Sequence, residues 1–128
     1  MATIKEAIGM LPVKDLDAAK SWWADRFSLK PVEELGEQGS YYEVGSTRFL
    51  VYPSQFAGSN QATAMGLRVD DLDAAVEELR SNGIEFEEYD FPGLKTVKGI
   101  ATMEDAGEMG RVAWFKDPDG NIISISDS

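Results

Sequence analysis

The sequence contains no cysteine and no histidine, and these two absences exclude more chemistry than any motif in it establishes. Without cysteine there are no disulfides, no thiolate nucleophiles and no thiolate metal sites. Without histidine the chain lacks the commonest metal ligand and the side chain best suited to proton transfer near neutral pH. Catalytic triads, zinc sites of the usual types and facial iron triads all lean on it. Positive charge is scarce as well, with 12 Lys and Arg against 23 Asp and Glu, a formal charge of −11. A phosphate backbone is repelled by that field, so nucleic acid is not an expected partner. A cationic small molecule would be attracted, although a solvated acidic surface accounts for the same balance. No apolar run reaches the roughly 18 residues of a membrane span. The opening MATIKEAIGMLPV also lacks a basic-then-apolar leader pattern. A cytoplasmic chain with no membrane partner is expected.

What is present is ordinary globular composition: 43% hydrophobic and 27% charged over 128 residues, enough for one domain with its own core. The most informative feature is an internal repeat. LPVKDLDAAK (Leu11–Lys20) returns 56 residues later as LRVDDLDAAV (Leu67–Val76), with seven of the ten positions identical. In each copy a strand ends in an apolar pair, and an aspartate, Asp15 or Asp71, stands where a helix N-cap belongs. Leu16, Ala19, Trp23 and Phe27 then recur at helical spacing, as do Leu72, Ala75, Val76 and Leu79. Asn82-Gly83 supplies a stop for the second helix.

After each helix the pattern changes to short strands. The first half predicts 31–35, 40–44 and 48–52; the second predicts 84–89, 100–104, 111–115 and 122–126, with Asp117-Pro118-Asp119-Gly120 as a turn. The unit is a strand, a helix and three strands, used twice, with Asn60–Thr63 as the link. Module one therefore covers about 1–59 and module two about 60–128 of a single domain.

The two VxDLDAA segments at Val13 and Val69, together with FKDPDGNIISI (Phe115–Ile125), resemble the vicinal oxygen chelate superfamily, also called the glyoxalase/bleomycin-resistance/dioxygenase family. The segments TRFLVYPSQFAG and EEYDFPGLKTVKGIA place it beside a bacterial subgroup. The resemblance implies an α+β fold in which two tandem βαβββ modules form a curled mixed sheet around a pocket, often in a homodimer. In metal-using members the pocket holds a divalent ion on a His/Gln and Glu set. Carried over by motif, the ligand positions fall on Ile8, Ala64, Ser124 and Leu50, with Tyr52 as second choice on the same face as Leu50. Three of these side chains have no lone pair to give, and a lone hydroxyl is a weak ligand for a hard cation. The chain departs from the family at each position. No metal and no cofactor are expected, and metal-dependent glyoxalase, epimerase, dioxygenase and thiol-transferase chemistry are put in doubt.

Strand alternation then sets the lining of that pocket. Leu11, Val13, Ile123 and Ile125 face the helices, which leaves Ile8, Met10, Leu50, Tyr52, Ala64, Gly66, Trp114 and Ser124 toward the pocket. Aliphatic members of such a set are usually core, whereas Tyr52, Trp114 and Ser124 carry polar handles that want partners. The segment 89–106, with Tyr89, Phe91, Leu94, Lys95 and Lys98, is either a lid across the pocket mouth or a solvated loop pinned by aromatics. Trp22 and Trp23 are adjacent, so only one of them continues the buried stripe, and that one is Trp23.

Three functions remain open. The first is a metal-free binder of a small aromatic or cationic molecule, in the manner of the family's antibiotic-sequestering members. The second is a metal-independent lyase, isomerase or hydrolase of glyoxalase-like type, using a tuned Glu43, Tyr52 or Glu104. The third is a structural or regulatory domain whose pocket is filled by its own side chains.

Overall fold

A computed structural model of the chain describes residues 2–102 and 110–127. Glu104, a candidate acid/base above, lies outside the described residues. The chain divides into two compact units, Met1–Ala57 and Gly58–Ser128. Two helices and two mixed sheets make the architecture α+β.

The first unit runs β1 (Gly9–Val13), α1 (Leu16–Phe27), β2 (Glu33–Glu34), β3 (Ser40–Val44) and β4 (Thr47–Pro53), with sheet order β1-β4-β3-β2. Asp15 starts α1 by accepting the Ala18 N–H at 3.1 Å, leaving one fewer orphan donor in the first turn. Ser28 ends it in the left-handed conformation, φ 55°, its N–H donating to Ala24 O. Strand β1 lies parallel to β4, and Leu11 and Val51 are partners in that register. Those two, with Val13, Phe49 and Tyr42, form one buried face against Trp23 of α1. The Trp23 ring packs within 5.0–6.0 Å of Phe27, Phe49 and Tyr42.

This aromatic core contains a polar fault. The Tyr42 hydroxyl is fully buried and finds no hydrogen-bond partner among the described residues. Burial, reinforced by the charge of Glu34, pushes its pKa up to about 12. Replacing Tyr42 by Phe keeps the ring and removes the orphan hydroxyl, so the variant is expected to be about 1 kcal/mol more stable at neutral pH. The alkaline behaviour follows from linkage. The folded chain keeps the Tyr42 proton up to about 12, while the unfolded chain releases it near 10.0. Stability therefore falls as pH rises between those values, and Tyr42→Phe loses that part of the slope. Urea denaturation from neutral to alkaline pH measures both effects; a less stable variant with an unchanged slope would contradict this account.

The second unit runs β5 (Thr63–Arg68), α2 (Leu72–Ser81), β6 (Asp90–Phe91), β7 (Leu94–Val97), β8 (Ile100–Thr102), β9 (Arg111–Lys116) and β10 (Ile122–Ser126), ordered β5-β10-β9-β8-β7-β6. The repeat is visible as chemistry: Asp71 caps α2 through the Ala74 N–H at 3.1 Å, as Asp15 caps α1. Gly83 (φ 97°) follows the helix end, and its N–H donates to Arg80 O. Leu72, Val76 and Leu79 of α2 are buried, as are Phe115, Ile123 and Ile125 of β9 and β10. The sheet's other face carries a second cluster, Ala101, Val112 and Trp114, with Tyr89, Leu94 and Ile122 packed on it.

Two elements differ from the pattern expected. Residues 84–89 form no continuous strand; Phe86 makes a single antiparallel bridge to Phe115. Three glutamates in that stretch leave Ile84, Phe86 and Tyr89 as its apolar residues, and Ile84 is buried at the end of α2, where its N–H donates to Leu79 O. Residues 90–97, read above within a lid or loop, form the β6–β7 hairpin around Pro92-Gly93, where Gly93 has φ 84°.

Candidate functional site

In the first unit, the face of the sheet away from α1 brings four of the expected lining residues together. Met10 is paired with Leu50, and Pro12 with Tyr52, across the parallel β1–β4 ladder. Ile8 lies just before β1 and is half-buried. Met10 is 56% exposed whereas Leu50 is only 8% exposed. Tyr41 is the neighbour of Leu50 on β3, and the Arg48 guanidinium lies 4.9 Å above the Tyr41 ring. Glu43 is exposed on the same strand.

In the second unit, Gly66, Ser124 and Trp114 are register partners on one face of β5, β10 and β9. A Cβ at Gly66 would stand 3.0 Å from the Ser124 Oγ, so this glycine leaves room for the hydroxyl. Ala64 is different. A bulge in β5 between the partners of Ile122 and Ile123 leaves Ala64 unpaired and exposed, with Thr63 beside Ile122.

Trp114 is where the second unit opens. A hollow of about 660 Å³ lies on the sheet face opposite α2, within the size range of ligand sites. Trp114, 8% exposed, and Ile122 contribute strand side chains to its lining, and Tyr89, Phe91 and Leu94 make an apolar wall. Tyr89 meets Trp114 edge-on at 5.5 Å and stacks on Phe91 at 5.8 Å. The Tyr89 N–H donates to Thr96 Oγ1 at 2.8 Å, which ties this wall to β7. Gly58 and Ala62 also line it, Asn60, Gln61 and Thr63 supply polar side chains, and Glu87 and Lys116 form an ion pair of 3.2 Å at its edge.

The polar wall is held from below. Gly58 (φ 78°) lies so close to Asp119 that a Cβ there would overlap its carbonyl oxygen. Its N–H donates to Asn121 Oδ1 at 3.3 Å. Asn121 in turn donates to both carboxylate oxygens of buried Asp117, at 2.8 Å each. Burial raises the Asp117 pKa, and those hydrogen bonds oppose the rise. Asp117 is thus a structural carboxylate with its bonds made, the anchor of the turn. In the hollow itself, burial raises the Tyr89 pKa; the charge of Glu87 adds to that and the charge of Lys116 opposes it.

Sequence reasoning placed Trp114 on this face and named Tyr89, Phe91 and Leu94 as candidate lid residues. It did not name Lys116, although the same alternation that turns Trp114 inward turns the residue two further along β9 the same way. Asn60 and Gln61 were read as a link, and nothing in their own pattern marks them as lining.

The family's metal chemistry finds no support in the donor set. Ile8, Leu50 and Ala64 have no donor atoms in their side chains, and Ser124 offers one neutral oxygen. Among the described residues, no group of three or more His, Cys, Asp or Glu side chains is arranged to hold a metal ion. Among the same residues, no helix is long and apolar enough to cross a membrane.

The fold has known counterparts. It is similar to a bleomycin-binding protein solved with bleomycin (TM-score 0.70, 19% identity, covering 98% of this chain and 99% of that one). It is similar to TnmS3, an antibiotic-binding protein from Streptomyces sp. CB03234 (0.64, 20%, 98% and 98%). It is also similar to a lactoylglutathione lyase from Agrobacterium tumefaciens (0.67, 19%, 99% and 96%). At these identities the likeness is one of fold. No protein of curated function matches the sequence. The model of the Glyoxalase/Bleomycin resistance protein/Dioxygenase superfamily matches residues 6–125, nearly the whole chain, and the protein belongs to that superfamily.

Proposed function

We propose that the protein is a metal-free binder of a small aromatic molecule, which it takes into the hollow of its second unit. The observation that carries this reading is the aromatic set of Trp114, Tyr89 and Phe91 in one open cavity of ligand size, facing uncharged polar groups. A concave apolar surface with a few convergent polar groups is the usual form of a small-molecule site. Two structural counterparts, the bleomycin-binding protein and TnmS3, are named for binding antibiotics, which favours sequestration over turnover. A catalytic reading would need an uncommitted acid or base in the cavity; its one lining carboxylate among the described residues, Glu87, is paired with Lys116, and the buried carboxylate Asp117 is committed to the turn. The proposal takes the two units as modules of one cytoplasmic domain acting as a homodimer, without cofactor.

The test is equilibrium binding of planar aromatic probes, read by quenching of tryptophan fluorescence. Acridine, neutral near pH 7, is expected to bind saturably with one site per chain and to raise the unfolding temperature. A broad panel of aromatic and antibiotic-like compounds that neither binds nor stabilises the protein would overturn the proposal.

A further inference from the structure

The chain as a whole is strongly acidic, yet the charge inside the hollow is balanced. Glu87 and Lys116 are the two charged side chains among the described lining residues, and they are paired at 3.2 Å. The pairing is built into the backbone: the Glu87 N–H donates to Trp114 O at 2.8 Å, which fixes Glu87 beside β9. Lys116 stands two residues from Trp114 on the same strand face. Both side chains keep partial exposure, 31% for Glu87 and 50% for Lys116, so a ligand in the hollow meets the pair directly.

We infer that Lys116 is a specificity-determining residue: by neutralising Glu87 beside the aromatic wall, it makes the hollow select uncharged planar ligands over cationic ones. The inference rests on the proposed binding site and deepens it. Three aromatic rings beside a bare carboxylate would form a receptor for organic cations, through ring-face attraction and ion pairing together. The lysine cancels the second contribution and repels a cation from the first. What remains is stacking on Trp114 and Phe91 and hydrogen bonding to the amides of Asn60 and Gln61, which suit a neutral ring system with carbonyl or hydroxyl substituents.

Acridine and N-methylacridinium have nearly the same shape and differ by one charge, so the ratio of their affinities reports charge selection. Lys116→Gln is expected to shift that ratio about fivefold toward the cation, the scale of one partly exposed charge contact. Glu87→Gln is expected to shift it the opposite way, and the double variant to restore the original ratio. Lys98→Gln changes the net charge equally from the turn between β7 and β8, outside the lining of the hollow, and is expected to leave the ratio unchanged. If both probes bind and the ratio stays within twofold in every variant, or follows net charge in Lys98→Gln as it does in Lys116→Gln, the inference is wrong and the binding site stands. If neither probe binds any variant, both fall together.

Discussion

Replacing Trp114 by alanine is expected to weaken binding of acridine by about 30-fold or more, the effect of losing a central aromatic anchor worth about 2 kcal/mol. Trp114 contacts both the second unit's Ala101–Val112 cluster and the edge of Tyr89, so it joins the cavity to the sheet. The substitution therefore also costs stability, and loss of binding alone would be ambiguous. Phe91→Ala resolves this. Phe91 is 57% exposed and stacks on Tyr89, so its removal should change stability by no more than about 0.5 kcal/mol. An affinity loss of about fivefold is expected from the missing ring face, since one exposed aromatic contact contributes about 1 kcal/mol. Titrations of the folded variants, checked by circular dichroism, measure both. Wild-type affinity in the two variants would show that the ligand sits elsewhere.

The largest effect on stability is expected from Trp23→Ala. Trp23 is completely buried, with Trp22, Phe27, Tyr42 and Phe49 around it. Truncation of a tryptophan in such a site costs about 3–5 kcal/mol, comparable to the whole stability of a marginal domain. The variant is expected to lose near-ultraviolet dichroism and cooperative unfolding in urea. Trp22→Ala, one position along the helix and only half-buried, should cost about 1–2 kcal/mol and keep a cooperative transition. Equal losses in the two variants would contradict the assignment of Trp23 as the centre of the first unit's core.

The helices were legible because their signals are local. An aspartate before an apolar stripe can cap a helix through its own first turn, and both copies do so with the same 3.1 Å bond. Strand faces were legible for the same reason: Leu11 and Val13 on β1, and Ile123 and Ile125 on β10, alternate with residues of the other face and are buried. The hollow was legible only in part. Trp114 follows from alternation beside Phe115, but the bulge at Ala64 is a property of the β5–β10 register and leaves no mark in the string TAMG. Asn60 and Gln61 follow Gly58, and Gly58 is seated against Asp119 more than sixty residues away in sequence. That closeness is tertiary, so no window around Asn60 contains it. Residues 84–91 failed differently: Ile84 and Phe86 alternate as a strand would, but Glu87 and Glu88 break the alternation before Tyr89 and Phe91, and the segment takes its path from Trp114 and Thr96.

The most direct test of the central claim uses the three tryptophans as position markers. Their indole N–H signals can be followed by nuclear magnetic resonance while acridine is added, with Trp114→Phe identifying the cavity signal. The account predicts that the Trp114 signal shifts saturably at one ligand per chain while those of Trp22 and Trp23 stay in place. A Trp114 signal that does not move while acridine binds would contradict it.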